Sequence, residues 1–321
     1  MEYPVIISGG GIIGCYIHLR LKQAGISSQI IEKGLPASGS VANIRTISLN
    51  PSTYKLLLEI GIELESKSVE TIKVLDGGGS GKIQFKAKEV NEEALSHVAM
   101  FNDLLEQIQD KASNAIQFES EITSISKLDT LTKVSLNNNC ELQTPLLIGS
   151  DGRNSPVAQL SNFISKMNDY KQTAFTFLVK EGLDNNNSTA SQIFSDKGIF
   201  ALMPIKHLKE NMFSVVWSVP NELLKDTNKD NFVSKNIDAM TTKINSKITL
   251  ESDIISFPLS NHHLDSYMKE GIVVVGDAAH SIHPLAGQGI NLGFADADIL
   301  CEEIIEAVSY THLRAHETSI D

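Results

Sequence analysis

Three stretches place glycines and carboxylates where they can do chemistry. The first, VIISGGGIIG (Val5–Gly14), is an apolar run broken by Gly9, Gly10 and Gly11 and closed by Gly14, with Glu32 following Gly9 by 23 residues. In a Gly9-x-Gly11-x-x-Gly14 turn between a strand and a helix, the first glycine permits the tight turn and the second lets a pyrophosphate approach the backbone. The third lets helix and strand pack closely. The free N–H groups of the helix's first turn attract phosphate, and Glu32 is spaced to accept from a ribose hydroxyl. This pattern reads as a dinucleotide site without choosing between a flavin and a nicotinamide.

The second stretch, LLIGSDGRNS, ends a buried run in Asp151-Gly152. The third, VVVGDAAHSIHPLAGQGINLGFADA, ends a buried run in Gly276-Asp277 and continues through Pro284, Gly287, Gln288, Gly289 and Asn291. A strand ending in Gly276-Asp277 can aim a carboxylate at the hydroxyls of a polyol chain, where it accepts strong hydrogen bonds; the competing reading of Asp277 is a helix N-cap. Gly287-Gln288-Gly289 leads into a helix, so bare N–H groups there can face an electron-rich ring edge that gains charge on reduction. A plain Asp-Gly turn is the competing reading of Asp151. His280 and His283 have the spacing of a metal pair but lack a third ligand, and His207, His262 and His263 read as surface or loop residues. Trp217, Met203 and Phe257 lie on alternating strands and read as core rather than as a pocket lining.

Together the three stretches resemble the signatures of FAD-dependent aromatic hydroxylases of the para-hydroxybenzoate hydroxylase fold, and GDAAHSIHPLAGQGINLG is most similar to the ubiquinone-biosynthesis branch. The resemblance implies that Gly9, Gly10, Gly11, Gly14, Glu32, Asp151, Gly276, Asp277, Pro284, Gly287, Gln288, Gly289 and Asn291 bind cofactor. It links the Asp151 motif to both FAD and nicotinamide. It also places Arg45 near the cofactor, where residue chemistry alone leaves a solvated arginine equally open. The implied reaction uses FAD, NAD(P)H and molecular oxygen to hydroxylate a phenolic substrate, a lipophilic polyprenylated one in the ubiquinone branch. It needs no dedicated acid or base, so no catalytic side chain is assigned. Two other readings stay open: hydroxylation of a small soluble phenol, and an inactive flavin-binding scaffold. The sequence departs from the family where Ser155-Pro156-Val157-Ala158 lacks an arginine and where Met100-Phe101 heads a helix without the usual polar residues.

The elements that must position these residues are legible in part. Val5–Ser8 reads as a strand; Ile13, Ile17, Leu21 and Ala24 mark a helix face closed by Gly25; SQIIEK gives a second strand. Two alternating runs around an asparagine turn suggest a small meander before Asp151. From about Asp169 to Ser260 alternating strands predict a mainly β unit, after which a buried strand and a helix through Ile299, Leu300, Ile304 and Val308 return. The expected class is α/β: a Rossmann-like FAD-binding domain (1–70, 96–168 and 261–308) interleaved with a mainly β substrate domain (71–95 and 169–260). Residues 309–321 drop the apolar helical pattern and are expected to be a non-native tail on a naturally longer protein.

A chain of 321 residues with formal charge −12 and no long like-charge block presents no nucleic-acid surface. Cys15, Cys140 and Cys301 are widely separated and odd in number, which reads as a reduced, cytoplasmic chain with no disulfide frame or metal pair. Neither a leader peptide nor a stretch of membrane-spanning length is expected. A lipophilic substrate would place the enzyme peripheral to the inner membrane or in a multi-enzyme assembly.

Overall fold

The computed structural model describes residues 4–37, 44–181, 188–206, 211–244, 247–283 and 287–317. Its centre is a six-stranded sheet in which β1 (Val5–Ser8) lies between β12 (Leu146–Gly149) and β2 (Ser28–Ile31). Beyond β12 come β20 (Ile272–Val274) and β19 (Met268–Lys269); beyond β2 comes β8 (Ile116–Gln117). All pairings are parallel except that of β19. These strands are covered on both faces, so they read as unbroken apolar runs: Ile6, Ile7, Ile30 and Ile148 are fully buried.

Helix α1 (Ile12–Gln23) springs directly from the glycine turn and ends at Ala24, with Gly25 at φ +78 reversing the chain as expected. It packs against α3 (Phe101–Ala112) and α6 (Gln288–Glu317), with Ile17, Leu21, Leu104, Ile108, Phe294 and Cys301 in one core cluster. The meander on the other face, β9 (Ile122–Leu128), β10 (Leu131–Leu136) and β11 (Glu141–Thr144), turns at Asn139 with φ +62. A three-stranded sheet, β3 (Thr46–Leu49), β7 (Ser96–Met100) and β4 (Ser66–Val69), carries α2 (Pro51–Glu59), whose N-cap Asn50 accepts from Thr53 N–H.

The largest sheet runs β21 (His280–Ser281), β18 (Ile255–Leu264), β13 (Ser165–Glu181), β16 (Met212–Pro220), β15 (Gly198–Ile205), β14 (Thr189–Ser195), β5 (Thr71–Asp76) and β6 (Lys82–Lys86). The short β17 (Ile248–Leu250) lies beside β13. Strand β15 buries alternate residues over most of its length and β16 is buried nearly throughout; Phe175 and Trp217 pack against Phe232 of α5 (Lys229–Thr242), and Phe200 packs against Trp217. Trp217 and partly buried Met203 are core as read, whereas Phe257 is 42% exposed.

Three features differ from the sequence reading. Helix α5 lies inside the region read as mainly β, because Phe232, Val233 and Met240 sit in a segment whose many Asn, Lys and Asp residues hide the helical spacing. Helix α6 does not stop near Val308 but continues to Glu317, since no glycine or proline interrupts residues 309–317. His262 is not a surface residue: it is 3% exposed on β18, with Nδ1 against the Ser281 hydroxyl at 3.0 Å. His207 lies outside the described residues. The short helix α4 (Pro156–Leu160), capped by Ser155, follows the Asp151 turn.

Candidate cofactor site

The glycine turn joins the carboxyl end of β1 to α1, and each glycine meets a different demand. Gly9 has φ +101, and a Cβ there would lie 2.6 Å from the Ser150 carbonyl oxygen. At Gly14 a Cβ would lie 1.9 Å from the Gly9 carbonyl oxygen, so helix and turn pack with no space for a methyl group. At Gly10 it would crowd the Glu32 side chain at 2.9 Å. Gly11 is the exception: a Cβ would meet nothing within 4 Å, because this residue opens onto a cavity of about 260 Å3. Gly9, Gly11, Glu32, Ser150 and Asp151 line that cavity at the carboxyl ends of adjacent parallel strands, where this sheet class takes its ligands.

Buried side chains fix the turn. Gly10 N–H donates to Glu32 Oε2 at 2.6 Å, and Gly34 N–H donates to Oε1 at 2.6 Å, which locks the carboxylate at the cavity edge. The Gly10 carbonyl accepts from Gln109 Nε2 at 2.7 Å and from the Cys15 thiol at 3.4 Å. Burial, with Glu32 nearby, pushes the Cys15 thiol up to about 12, so it stays protonated and donates. The Gln109 amide oxygen accepts from Ala37 N–H at 2.8 Å, tying the turn to α3 and to the segment after β2. Gln109 was not singled out in the sequence, although its signal was present: a polar residue four positions after Leu105 on the apolar face of an amphipathic helix.

Asp151 ends β12 beside the same cavity. Its Oδ2 accepts from the Ser8 hydroxyl at 2.9 Å and from Val157 N–H at 3.2 Å, while the buried Oδ1 has no partner. Burial raises its pKa, against the hydrogen bonds from Ser155, Val157 and Ser8. A plain Asp-Gly turn does not account for a carboxylate brought inside with one oxygen left for another donor. The open face at Gly11, the edge carboxylate of Glu32 and the unpartnered oxygen of Asp151 fit the diphosphate and sugar hydroxyls of a dinucleotide.

The third stretch does not line that cavity; Gly276 and Gly293 pack on Ile13 of α1, and Gly287 packs on Ser48 of β3. Asp277 lies within a 3-10 turn, Gly276–Ala278, and is exposed; since α6 begins only at Gln288, it is not that helix's N-cap. Arg45 stands near Asp277, its guanidinium 3.9 Å over the Phe101 ring and its carbonyl accepting from Phe101 N–H at 2.9 Å. Phe101, which replaces the family's polar helix head, is therefore the platform that orients Arg45. Surrounding protein disfavours the Arg45 charge and Asp277 favours it; solvent reaches the exposed side chain, and the guanidinium remains charged.

Gly287 has φ +65 and sits so close to β3 that a Cβ would lie 3.0 Å from that of Ser48, while Gly289 faces open space. Gln288 is exposed at the start of α6. The Asn291 side chain binds within the protein: Nδ2 donates to the Ser48 and Gly287 carbonyls at 2.8 and 3.2 Å, and Oδ1 accepts from Asn50 N–H at 2.9 Å. Its amide fastens the start of α6 to β3 rather than projecting into free space. Pro284 lies outside the described residues. The His280–His283 metal pairing is not formed among the described residues: His280 Nε2 pairs with Asp296 at 2.7 Å, and His283 Nε2 meets Gln172 Oε1 at 3.0 Å.

Comparison with known proteins identifies the family. The 3-demethoxyubiquinol 3-hydroxylase of Escherichia coli is 28% identical over 95% of this chain and 80% of its own length. The ubiquinone biosynthesis monooxygenase COQ6 of Caenorhabditis elegans is 26% identical over 99% of this chain and 84% of its own. Among solved structures, Pseudomonas aeruginosa PqsL in complex with 2-aminobenzoylacetate superposes with a TM-score of 0.80 at 20% identity, covering 96% of this chain and 88% of that one, a likeness of fold. The family model described as FAD binding domain matches residues 2–314, so the chain belongs to the FAD binding domain family and is an FAD-dependent monooxygenase within it.

Proposed function

We propose that the chain hydroxylates the aromatic ring of a polyprenylated phenol in ubiquinone biosynthesis, with NAD(P)H as reductant and molecular oxygen as the source of the inserted atom. The observation that carries this reading is the Gly276–Gly293 stretch, set on a chain that spans four fifths or more of two ubiquinone-pathway hydroxylases. FAD, when bound, supplies the redox and oxygen chemistry. The chain's own residues bind, orient and polarise. Gly11 and the α1 N-terminus receive the diphosphate, Glu32 and Asp151 accept from or orient the sugar side, and Asp277 with Arg45 holds the polyol and phosphate oxygens. The first turn of α6, at Gly287, Gln288 and Gly289, would present its positive end to the ring that gains charge on reduction.

In this reading the cofactor domain comprises 1–70, 96–168 and 261–308, and the sheet side formed by 71–95 and 169–260 faces the substrate. No described helix is long and apolar enough to cross a membrane. A greasy phenol would then be met peripherally at the inner membrane, from the cytoplasmic side, or passed within an assembly.

Turnover under labelled oxygen tests the proposal. NAD(P)H oxidation is expected to accelerate on adding a prenylated phenol, with one labelled atom in the ring product. Prenylated phenols should outcompete bare phenols of the same ring pattern, each buried methylene adding up to about 0.8 kcal/mol. Equal use of bare phenols would replace the lipophilic substrate with a small soluble one. Label found only in water or hydrogen peroxide, whatever phenol is offered, would overturn hydroxylation.

A further inference from the structure

Asp296 lies on α6, yet its carboxylate is spent on the turn that carries Asp277. One oxygen, Oδ2, accepts from Gly276 N–H at 3.0 Å and also meets His280 Nε2 at 2.7 Å. Gly276 has φ +59, a left-handed conformation, and its Cα lies close against Gly293 of α6, where an added Cβ would be 3.5 Å from that atom. The entry to and exit from the Asp277 turn are thus tied to a single helix by a single carboxylate oxygen. We propose that His280 and Asp296 are positioning residues for the flavin dinucleotide, holding the Gly276–Asp277 turn in its binding conformation more firmly when His280 carries a proton. The inference rests on the FAD family assignment and is independent of which substrate is hydroxylated.

The groups facing His280 support this. Asp296 approaches from α6 and Asp277 from the turn itself; on β18, His263 pairs in register with His280 and His262 stands nearby; the Tyr267 ring lies 5.5 Å away with its hydroxyl on His263 Nδ1 at 2.8 Å. The hydrogen bond to Asp296 raises the His280 pKa against the opposing effect of burial, and the charges of Asp296 and Asp277 add to it. Burial lowers that of His262. A proton held more tightly by the folded turn contributes fully below the ordinary histidine range and is lost as pH rises through the raised value. Deprotonation leaves an Nε2–H hydrogen bond to the carboxylate but removes the attraction between opposite charges.

The test is titration of the apoprotein with FAD, followed by flavin fluorescence, from about pH 6 to about pH 9, the span that brackets histidine ionisation. Wild-type affinity is expected to weaken roughly five- to tenfold across this range. Asp296→Asn should weaken binding about tenfold at the acid end and flatten the profile. His280→Gln, which keeps a neutral donor, should bind at the wild-type alkaline level at every pH. Retention of the wild-type slope by His280→Gln, or wild-type affinity in Asp296→Asn, would overturn the proposal. Should Asp296→Asn fail to fold, His280→Gln still decides, together with the NMR titration of His280 in the wild-type apoprotein: a midpoint at or below the ordinary histidine value would also overturn it. Neither readout requires a substrate or turnover, so failure here is separable from failure of the hydroxylation reading.

Discussion

The two ends of the proposed cofactor site are built in opposite ways. Around Gly9–Gly14 the shape comes from backbone packed to contact: glycines at 9 and 14 have no room for a methyl group, and the surrounding strands are buried on both faces. Around Gly276–Asn291 the shape comes from side chains reaching across elements: Asp296 to Gly276, Asn291 to Ser48 and Asn50, Phe101 beneath Arg45. At the first end excluded volume, which is indifferent to pH and salt, sets the shape, and the hydrogen bonds of Glu32 and Gln109 to Gly10 hold it. The second is fixed by hydrogen bonds and charges, which can be weakened one at a time without unfolding the sheet.

The largest expected effect breaks the first end. Gly14→Ala would drive a methyl group into the Gly9 carbonyl, whose backbone cannot yield, and against the Ser150 hydroxyl at 2.7 Å; it should destabilise the apoprotein by on the order of 3–5 kcal/mol, read from urea unfolding. A stability within 1 kcal/mol of wild type would show that the turn yields and would dissolve the contrast. The second end should behave differently. Asp277→Ala removes an exposed carboxylate and should leave the urea midpoint nearly unchanged while weakening FAD binding by roughly 1.5–3 kcal/mol for each charge-assisted hydrogen bond lost. Unchanged affinity on titration of the apoprotein would remove Asp277 from the site.

The smallest effect sharpens the comparison at Asp151, the one partly unsatisfied charge at the packed end. Its raised folded pKa means that the ionised form is disfavoured on folding, so apoprotein stability should rise as pH falls through that raised value, until the carboxyl of the unfolded chain is protonated as well. Asp151→Asn should lose this dependence while changing stability at neutral pH by no more than about 1 kcal/mol, since an amide oxygen can still accept from Ser8 and Val157. Parallel stability–pH curves for the two proteins would show that burial does not act on Asp151 as described.

The same contrast governs what could be read before the fold was seen. The packed end is local: strand, glycine spacing, helix and Glu32 follow one another within 32 residues, and β1, α1 and β2 lie where the apolar pattern puts them. The meander strand β10 and strand β15 are equally legible, because alternation survives when one face is buried. What escaped was non-local. Gln109 reaches Gly10 from 99 residues away, and Asn291 reaches Ser48 across 243, distances at which spacing carries no signal. His262 was read as surface because a histidine pair in a polar stretch gives no hint that β21 will cover it. Helix α5 was missed because its apolar residues are few and its polar face is dense in loop-forming types. The family motif compensated for part of this, since it marked Gly276–Gly293 as one unit without showing that Asp296 is what joins its two ends.

The central claim is that the open face at Gly11 receives the dinucleotide diphosphate, and Gly11→Val tests it most directly. A Cβ at this position meets nothing in the apoprotein, and φ there is −75, which a branched residue adopts without strain. The variant should therefore fold with a wild-type circular dichroism spectrum and unfolding midpoint, yet purify without yellow colour and fail to bind FAD on titration. A folded Gly11→Val protein carrying stoichiometric flavin would contradict the account.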